Sequence, residues 1–195
     1  MNSLLLVLII IVNGYVITAP LLPALIFAWE GHQNRHATLV RVLRNTSSSS
    51  NKQALNTSPN SIIIPSMLLD QPILEGPISQ TYHILNQGIW RWPNGSTPDE
   101  GGNTVLIGHR FTYTNPKGVF YYLNKVSLGD QIGIFWNHKE YLYKVQNIEQ
   151  VPPSDTAIES NTSNAELTLF TCTPLLLPKD RLVVVADLQT GPTNE

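Results

Sequence analysis

The sequence predicts an all-β domain of about 135 residues behind an apolar N-terminal anchor, and three observations carry this. From Ser61 onward, short apolar runs alternate with Gly, Pro and Asn turn signals at the spacing of all-β sandwiches and barrels. No long segment repeats with a 3.6-residue period, which argues against a doubly wound α/β fold. The first 30 residues are almost free of charge, while the 195-residue chain as a whole is only 13% charged and 42% hydrophobic. That deficit against a usual ~25% charged places part of the apolar content outside a globular core.

In chain order, Ser3 to Trp29 is an uncharged run, interrupted by Asn13-Gly14, Pro20 and Pro23. About 20 apolar residues at a rise of 1.5 Å cross a ~30 Å hydrocarbon layer, so residues 1–30 are expected to form a transmembrane helix. The prolines kink it or shorten its regular part, and Trp29 stands where an interfacial aromatic belongs. A cleaved signal peptide is the weaker alternative, because no basic stretch precedes the run and no Ala-x-Ala site follows it. Arg35, Arg41 and Arg44 all lie after the run, which by the positive-inside rule would leave the downstream domain in the cytoplasm. Residues 31–60 form a juxtamembrane segment and linker. Its second part, Asn45 to Asn60, is rich in Ser, Asn and Thr and cannot bury enough apolar surface to offset its ordering entropy.

Residues 61–195 form the domain. Expected strands are Ile62–Ile64, Thr104–Gly108, Gln131–Trp136, Tyr141–Ile148, Glu166–Cys172 and Leu182–Leu188, with weaker pieces near Ile73 and Ile84. Val119–Val126 reads as a short helical turn. A closed barrel would remove the exposed strand edges. After residue 44 the chain carries 9 basic and 13 acidic side chains without a basic cluster, a poor match for a phosphate backbone and hence for a nucleic-acid partner.

Three polar residues stand at the boundaries of expected strands. His109 follows Thr104–Gly108, Cys172 closes Glu166–Cys172, and Arg181 opens the last strand. If the last two strands pair antiparallel, Cys172 and Arg181 meet at one end of the sheet. Alternation then points Thr168, Phe170 and Cys172 one way and Leu167, Leu169 and Thr171 the other. A thiolate is a nucleophile whose pKa falls beside a cation, a His can give its proton to a leaving amine, and a guanidinium fork can hold an oxyanion. Residue type alone favours blander roles: a buried thiol, a satisfied histidine, a surface charge. The single Cys also excludes a disulfide scaffold and any multi-cysteine metal site.

The run Leu167-Thr168-Leu169-Phe170-Thr171-Cys172-Thr173-Pro174, followed by Arg181-Leu182-Val183-Val184-Val185-Ala186, resembles the signature of the sortase family of membrane-anchored cysteine transpeptidases. Thr168–Cys172 matches the family's Thr-Leu-x-Thr-Cys motif at every fixed position. Gly102 to Arg110 resembles its histidine motif, and Ile62–Pro65, Ile73–Gly76 and Gly129–Ile132 extend the likeness over residues 61–188. The resemblance implies a closed eight-stranded sortase-type β-barrel with short helices. It implies that Cys172 attacks the Thr–Gly bond of a Leu-Pro-x-Thr-Gly-like sorting signal and forms a thioester. His109 would serve as general acid and base, and Arg181 would stabilise the oxyanion or the substrate. Thr171 is an expected substrate contact. Leu175 and Leu176 are expected contacts too, from the apolar run of three leucines in the Cys172–Arg181 connection, which suits a wall of the groove or a docking patch and equally a loop folded onto the barrel. The implied partners are sorting-signal-bearing surface proteins, an amine acceptor on a peptidoglycan cross-bridge or a pilin lysine, and membrane lipid through the N-terminal helix.

A single-pass protein with its catalytic domain outside the cell follows from that reading, against the arginine count. No cofactor is expected, and no metal, since no carboxylate cluster supplies the 6–8 oxygens that calcium takes. Asp70-Gln71-Pro72 is the only approach to the lid motif of pilus-building sortases, and it lies inside the first strands. His32, His36, His83 and His138 show no ligand spacing. The competing readings are a non-catalytic membrane-anchored binding barrel and a hydrolytic cysteine protease using the same groove.

Overall fold

The computed structural model describes residues 2–18, 25–29, 35–46, 59–112, 114, 117–175 and 177–191. Helices α1 (Asn2–Thr18) and α2 (Arg35–Thr46) precede β1 (Ser61–Ile64), β2 (Leu69–Leu74), α3 (Thr81–Gln87), β3 (Ile89–Arg91) and β4 (Asn103–Ile107). After them come β5 (Gln131–Trp136), β6 (Lys139–Val151), β7 (Glu166–Thr173) and β8 (Asp180–Thr190), with short 3-10 turns between some elements.

The eight strands close into one barrel in the order β1-β2-β3-β4-β7-β8-β6-β5. Most neighbours are antiparallel, but β2·β3 and β4·β7 run parallel. A parallel pair needs a crossover rather than a hairpin. For β2 to β3, α3 supplies it, so the stretch near Ile84 expected as a strand is helical, with Ile84 buried beneath it. The three-residue β3 beyond it went unexpected, being too short to show alternation. At the β5–β6 hairpin, Asn137 and His138 both adopt positive φ (50° and 62°), which matches the right-handed twist of the flanking strands.

The barrel is filled by side chains from alternate positions: Ile62 and Ile64 of β1, Leu106 of β4, Ile132 and Ile134 of β5, Leu167 and Leu169 of β7, and Val184 and Ala186 of β8. Phe120 and Leu123, from the expected helical turn, enter the same cluster, and Leu123–Lys125 is a 3-10 turn.

Helix α2 packs on the outside of the barrel. Leu39 and Leu43, one turn apart on a common stripe, bury against Ile63, with Phe135 and Leu142 beside them. Leu43 lies so close to Gly133 that a Cβ there would collide with its side chain. Of the expected linker, Asn45 to Asn60, residues 45 and 46 end helix α2 and residues 59 and 60 lead into β1, while residues 47–58 lie outside the described residues.

The single transmembrane helix expected over residues 1–30 is not found among the described residues, which there form helix α1, Asn2–Thr18, and a helical stretch over residues 25–29. Among the described residues, no helix is long and apolar enough to cross a membrane. The apolar side chains from Leu4 to Val12 on α1 are nevertheless 50–80% exposed.

Candidate active site

Strands β4, β7 and β8 lie side by side, with β7 in the middle. Cys172 pairs directly with Arg181 across the antiparallel β7·β8 ladder. On the other side the parallel register runs from Asn103↔Glu166 to Ile107↔Phe170. The pairing ends at Ile107↔Phe170, with the Gly108 N–H still donating to the Phe170 carbonyl, and the same register extended by two residues would bring His109 level with Cys172. Cys172 and Arg181, directly opposite one another, share the outer face of the sheet, and His109 follows the end of β4 beside them. Below them that face carries a second small core of Val105, Phe170 and Val183, with Ile107 and Ile158 packed on it. The three residues therefore stand at the open end of a firmly packed sheet surface. Cys172 is a free, exposed thiol.

Several contacts hold the His109 end of β4 against the Cys172 end of β7. Thr171 Oγ1 donates to the Gly108 carbonyl at 2.7 Å, and the Gly108 N–H donates to the Phe170 carbonyl at 3.4 Å. Arg110 Nη1 donates to Thr173 Oγ1 at 2.7 Å. The Phe120 N–H bonds the His109 carbonyl at 3.0 Å, while Gly118 approaches that carbonyl so closely that no Cβ would fit. His109 is half-buried, and burial holds its pKa below the ordinary 6.5 because the charged imidazolium loses solvation. At neutral pH the ring is thus mainly uncharged and able to accept a proton. It also forms part of the wall of a cavity of about 390 Å³ whose other lining residues include Leu69, Gln71, Asn86, Lys117 and Tyr122.

Arg181 is held on three sides. Its guanidinium carbon sits 4.9 Å from the centre of the Phe170 ring. Nη1 donates to Glu159 Oε1 at 2.9 Å, and a longer contact of 3.5 Å reaches the Asp155 carbonyl. The sequence reading missed Glu159, which lies in a polar β6–β7 connection without periodicity and is placed only by long-range contacts. It also gave no role to Arg110, although Arg110 follows the histidine directly.

Expected substrate contacts fare differently. Thr171 is buried and points into the barrel, so its hydroxyl is spent on Gly108 rather than presented to a ligand. The alternation that sends Cys172 outward sends Thr171 inward. Leu175 packs in part against the barrel core. Leu176 lies outside the described residues, and the neighbouring Leu177 is exposed. Among the described residues no group of three or more His, Cys, Asp or Glu side chains could hold a metal ion.

A family model of the sortase domain matches residues 62–189, and the chain belongs to the sortase family, whose members are cysteine transpeptidases. It is 31% identical over 112 residues to sortase D of Bacillus subtilis, covering 57% of this chain and 52% of that protein. It is 30% identical over 128 residues to sortase A of Bacillus anthracis, covering 65% and 58%. The chain thus spans a little over half the length of these curated relatives. The solved structure of Listeria monocytogenes sortase A superposes with a TM-score of 0.58 at 23% identity, over 71% of this chain and 92% of that one, and shares its fold. The closed eight-stranded barrel is accordingly a sortase barrel.

Proposed function

We propose that this protein is a membrane-anchored transpeptidase that cleaves a Leu-Pro-x-Thr-Gly-like sorting signal between Thr and Gly and transfers the acyl group to an amine. The supporting observation is that Arg181 pairs directly with the exposed Cys172 across β7·β8, while the parallel β4·β7 ladder ends two residues before His109 and brings it to the same end of the sheet.

The neutral His109 imidazole takes the Cys172 proton as sulfur attacks the threonyl carbonyl. Arg181 donates to the carbonyl oxygen as it gains negative charge, an interaction stronger in the tetrahedral state than in the ground state. His109 then protonates the glycine amine, which departs and leaves a thioester. An incoming amine loses a proton to His109, attacks the thioester and releases Cys172. Acceptors of the expected kind are a peptidoglycan cross-bridge amine or a pilin lysine.

Anchoring is supported by α1, an uncharged helix whose apolar side chains from Leu4 to Val12 are exposed among the described residues. Such a surface is stable in contact with lipid. In this reading the barrel lies outside the cell, where an exported sorting-signal protein would meet it. Protease added to intact cells should then degrade the barrel, and full protection until lysis would overturn this orientation.

The deciding experiment is mass spectrometry of the full chain with a sorting-signal peptide, with and without an amine such as triglycine. The expected result is an acyl adduct on Cys172 and, with the amine, a ligated peptide. Free acid alone even with amine present would indicate a hydrolase. Partner binding without any adduct, unaltered in Cys172→Ala, would indicate a binding module.

A further inference from the structure

We infer that Glu159 is a positioning residue for the reaction, fixing the Arg181 guanidinium in the orientation that receives the substrate carbonyl; this rests on the transpeptidase reading above. Arg181 and Glu159 side chains are only 22% and 17% exposed, and their ion pair is a single 2.9 Å contact through Nη1. Together with the Phe170 ring beneath and the Asp155 carbonyl at 3.5 Å, this pins one corner and one face of a planar group. Among the described residues nothing accepts a hydrogen bond from Nε or Nη2, so the donors on that edge remain for a ligand beside Cys172. A guanidinium presents its N–H groups in a rigid fork, so fixing one nitrogen and the plane fixes the others.

The carboxylate is itself held in place by a chain of contacts running back to the barrel. Glu159 ends the 3-10 turn Ala157–Glu159, and Ile158 packs on the outer sheet face. Asn103, at the start of β4, donates from Nδ2 to the carbonyls of Ile158 and Ser160 at 3.2 and 3.0 Å, bracketing Glu159. Asn161 Oδ1 accepts from the Asn103 N–H at 2.9 Å and from Ser96 Oγ at 2.9 Å. The β6–β7 connection is thus tied to the strand that also carries His109, and Glu159 relays that placement to β8. Partly buried ion pairs give little net stability, because lost solvation offsets their attraction, so the geometric role is the one the pair can fill.

The test compares wild type, Glu159→Gln and Glu159→Ala in acylation by a sorting-signal peptide, alone and combined with Arg181→Ala. Thermal melting and the rate of Cys172 alkylation by iodoacetamide serve as controls. Expected is a fall in kcat of about tenfold for Glu159→Ala, with KM changed less, and melting and alkylation close to wild type. In the Arg181→Ala background the Glu159 change should cost nothing more, because coupled residues are not additive. Wild-type kcat in Glu159→Ala, an additive loss in the double variant, or a parallel collapse of melting and alkylation would each overturn the inference. A wild type that forms no thioester would instead overturn the transpeptidase reading, and the inference with it.

Discussion

Thr171 Oγ1 donates a 2.7 Å hydrogen bond to the Gly108 carbonyl, across 63 residues of sequence, and this buried bond lies one residue before both Cys172 and His109 in their respective strands. Replacing the hydroxyl by the isosteric methyl of Thr171→Val leaves that carbonyl without its side-chain partner at a buried position. The expected cost is about 1–2 kcal/mol of folding stability in urea titration. Peptide ligation should fall as well, since the bond sets the spacing of nucleophile and base. Unchanged stability and unchanged ligation would show that the bond is incidental.

Arg181→Lys tests the fork. Lysine keeps the charge but presents a point donor that cannot stack flat on Phe170 while bonding Glu159 and a substrate carbonyl together. Activity should drop about a hundredfold with folding intact, roughly the effect of losing one oxyanion donor. Retention of more than half the activity would reduce the role of Arg181 to simple charge.

His109 sets the acid limb of the pH profile. Burial depresses its pKa, so the neutral base persists below the usual 6.5. The acid limb of kcat/KM for acylation, which reports the free enzyme, should therefore fall at a pH under 6.5. A midpoint at or above 7 would exclude this assignment.

Glu140, on β6 and apart in sequence from these residues, has a buried Oε1 without a hydrogen-bond partner among the described residues, and burial raises its carboxyl pKa from the ordinary 4.5 to about 7. Between those two values the folded state holds the proton more tightly than the unfolded state. Stability attributable to this group is therefore full below pH 4.5 and is lost as pH rises through 7. Glu140→Gln should raise Tm by a few degrees at pH 7.5 and have little effect at pH 4. Equal shifts at the two pH values would show that ionisation is not the cause.

Much of the fold was readable because β4, β5, β7 and β8 are dense in β-branched and aromatic residues and bounded by Gly and Pro. Cys172 and Arg181 were readable as neighbours because Pro174 and Pro178 confine the connection between their strands. The strand expected near Ile84 failed since a seven-residue helix with one buried residue has no periodicity to display. Glu159 could not be read at all: its significance comes from Asn103 and Arg181, 56 residues before and 22 after it, and from nothing in its own neighbourhood. Thr171 was expected to touch substrate on the strength of its motif, although the strand alternation already set it on the face opposite Cys172, where it is buried.

The parallel pairing of β4 with β7 has a consequence for timing. The nucleophile and its base belong to strands that run the same way, so no hairpin can bring them together early. Their meeting waits for the intervening β5–β6 hairpin to form and for the long loop to close, a late event in chains dominated by distant contacts. A nascent chain that has exposed residues 1–160 carries the histidine but neither the thiol nor the arginine. Even a chain complete to Thr173 lacks the β8 edge that completes the enclosure. The reactive centre is thus complete only with the finished barrel, since a chain that ends before β8 lacks Arg181.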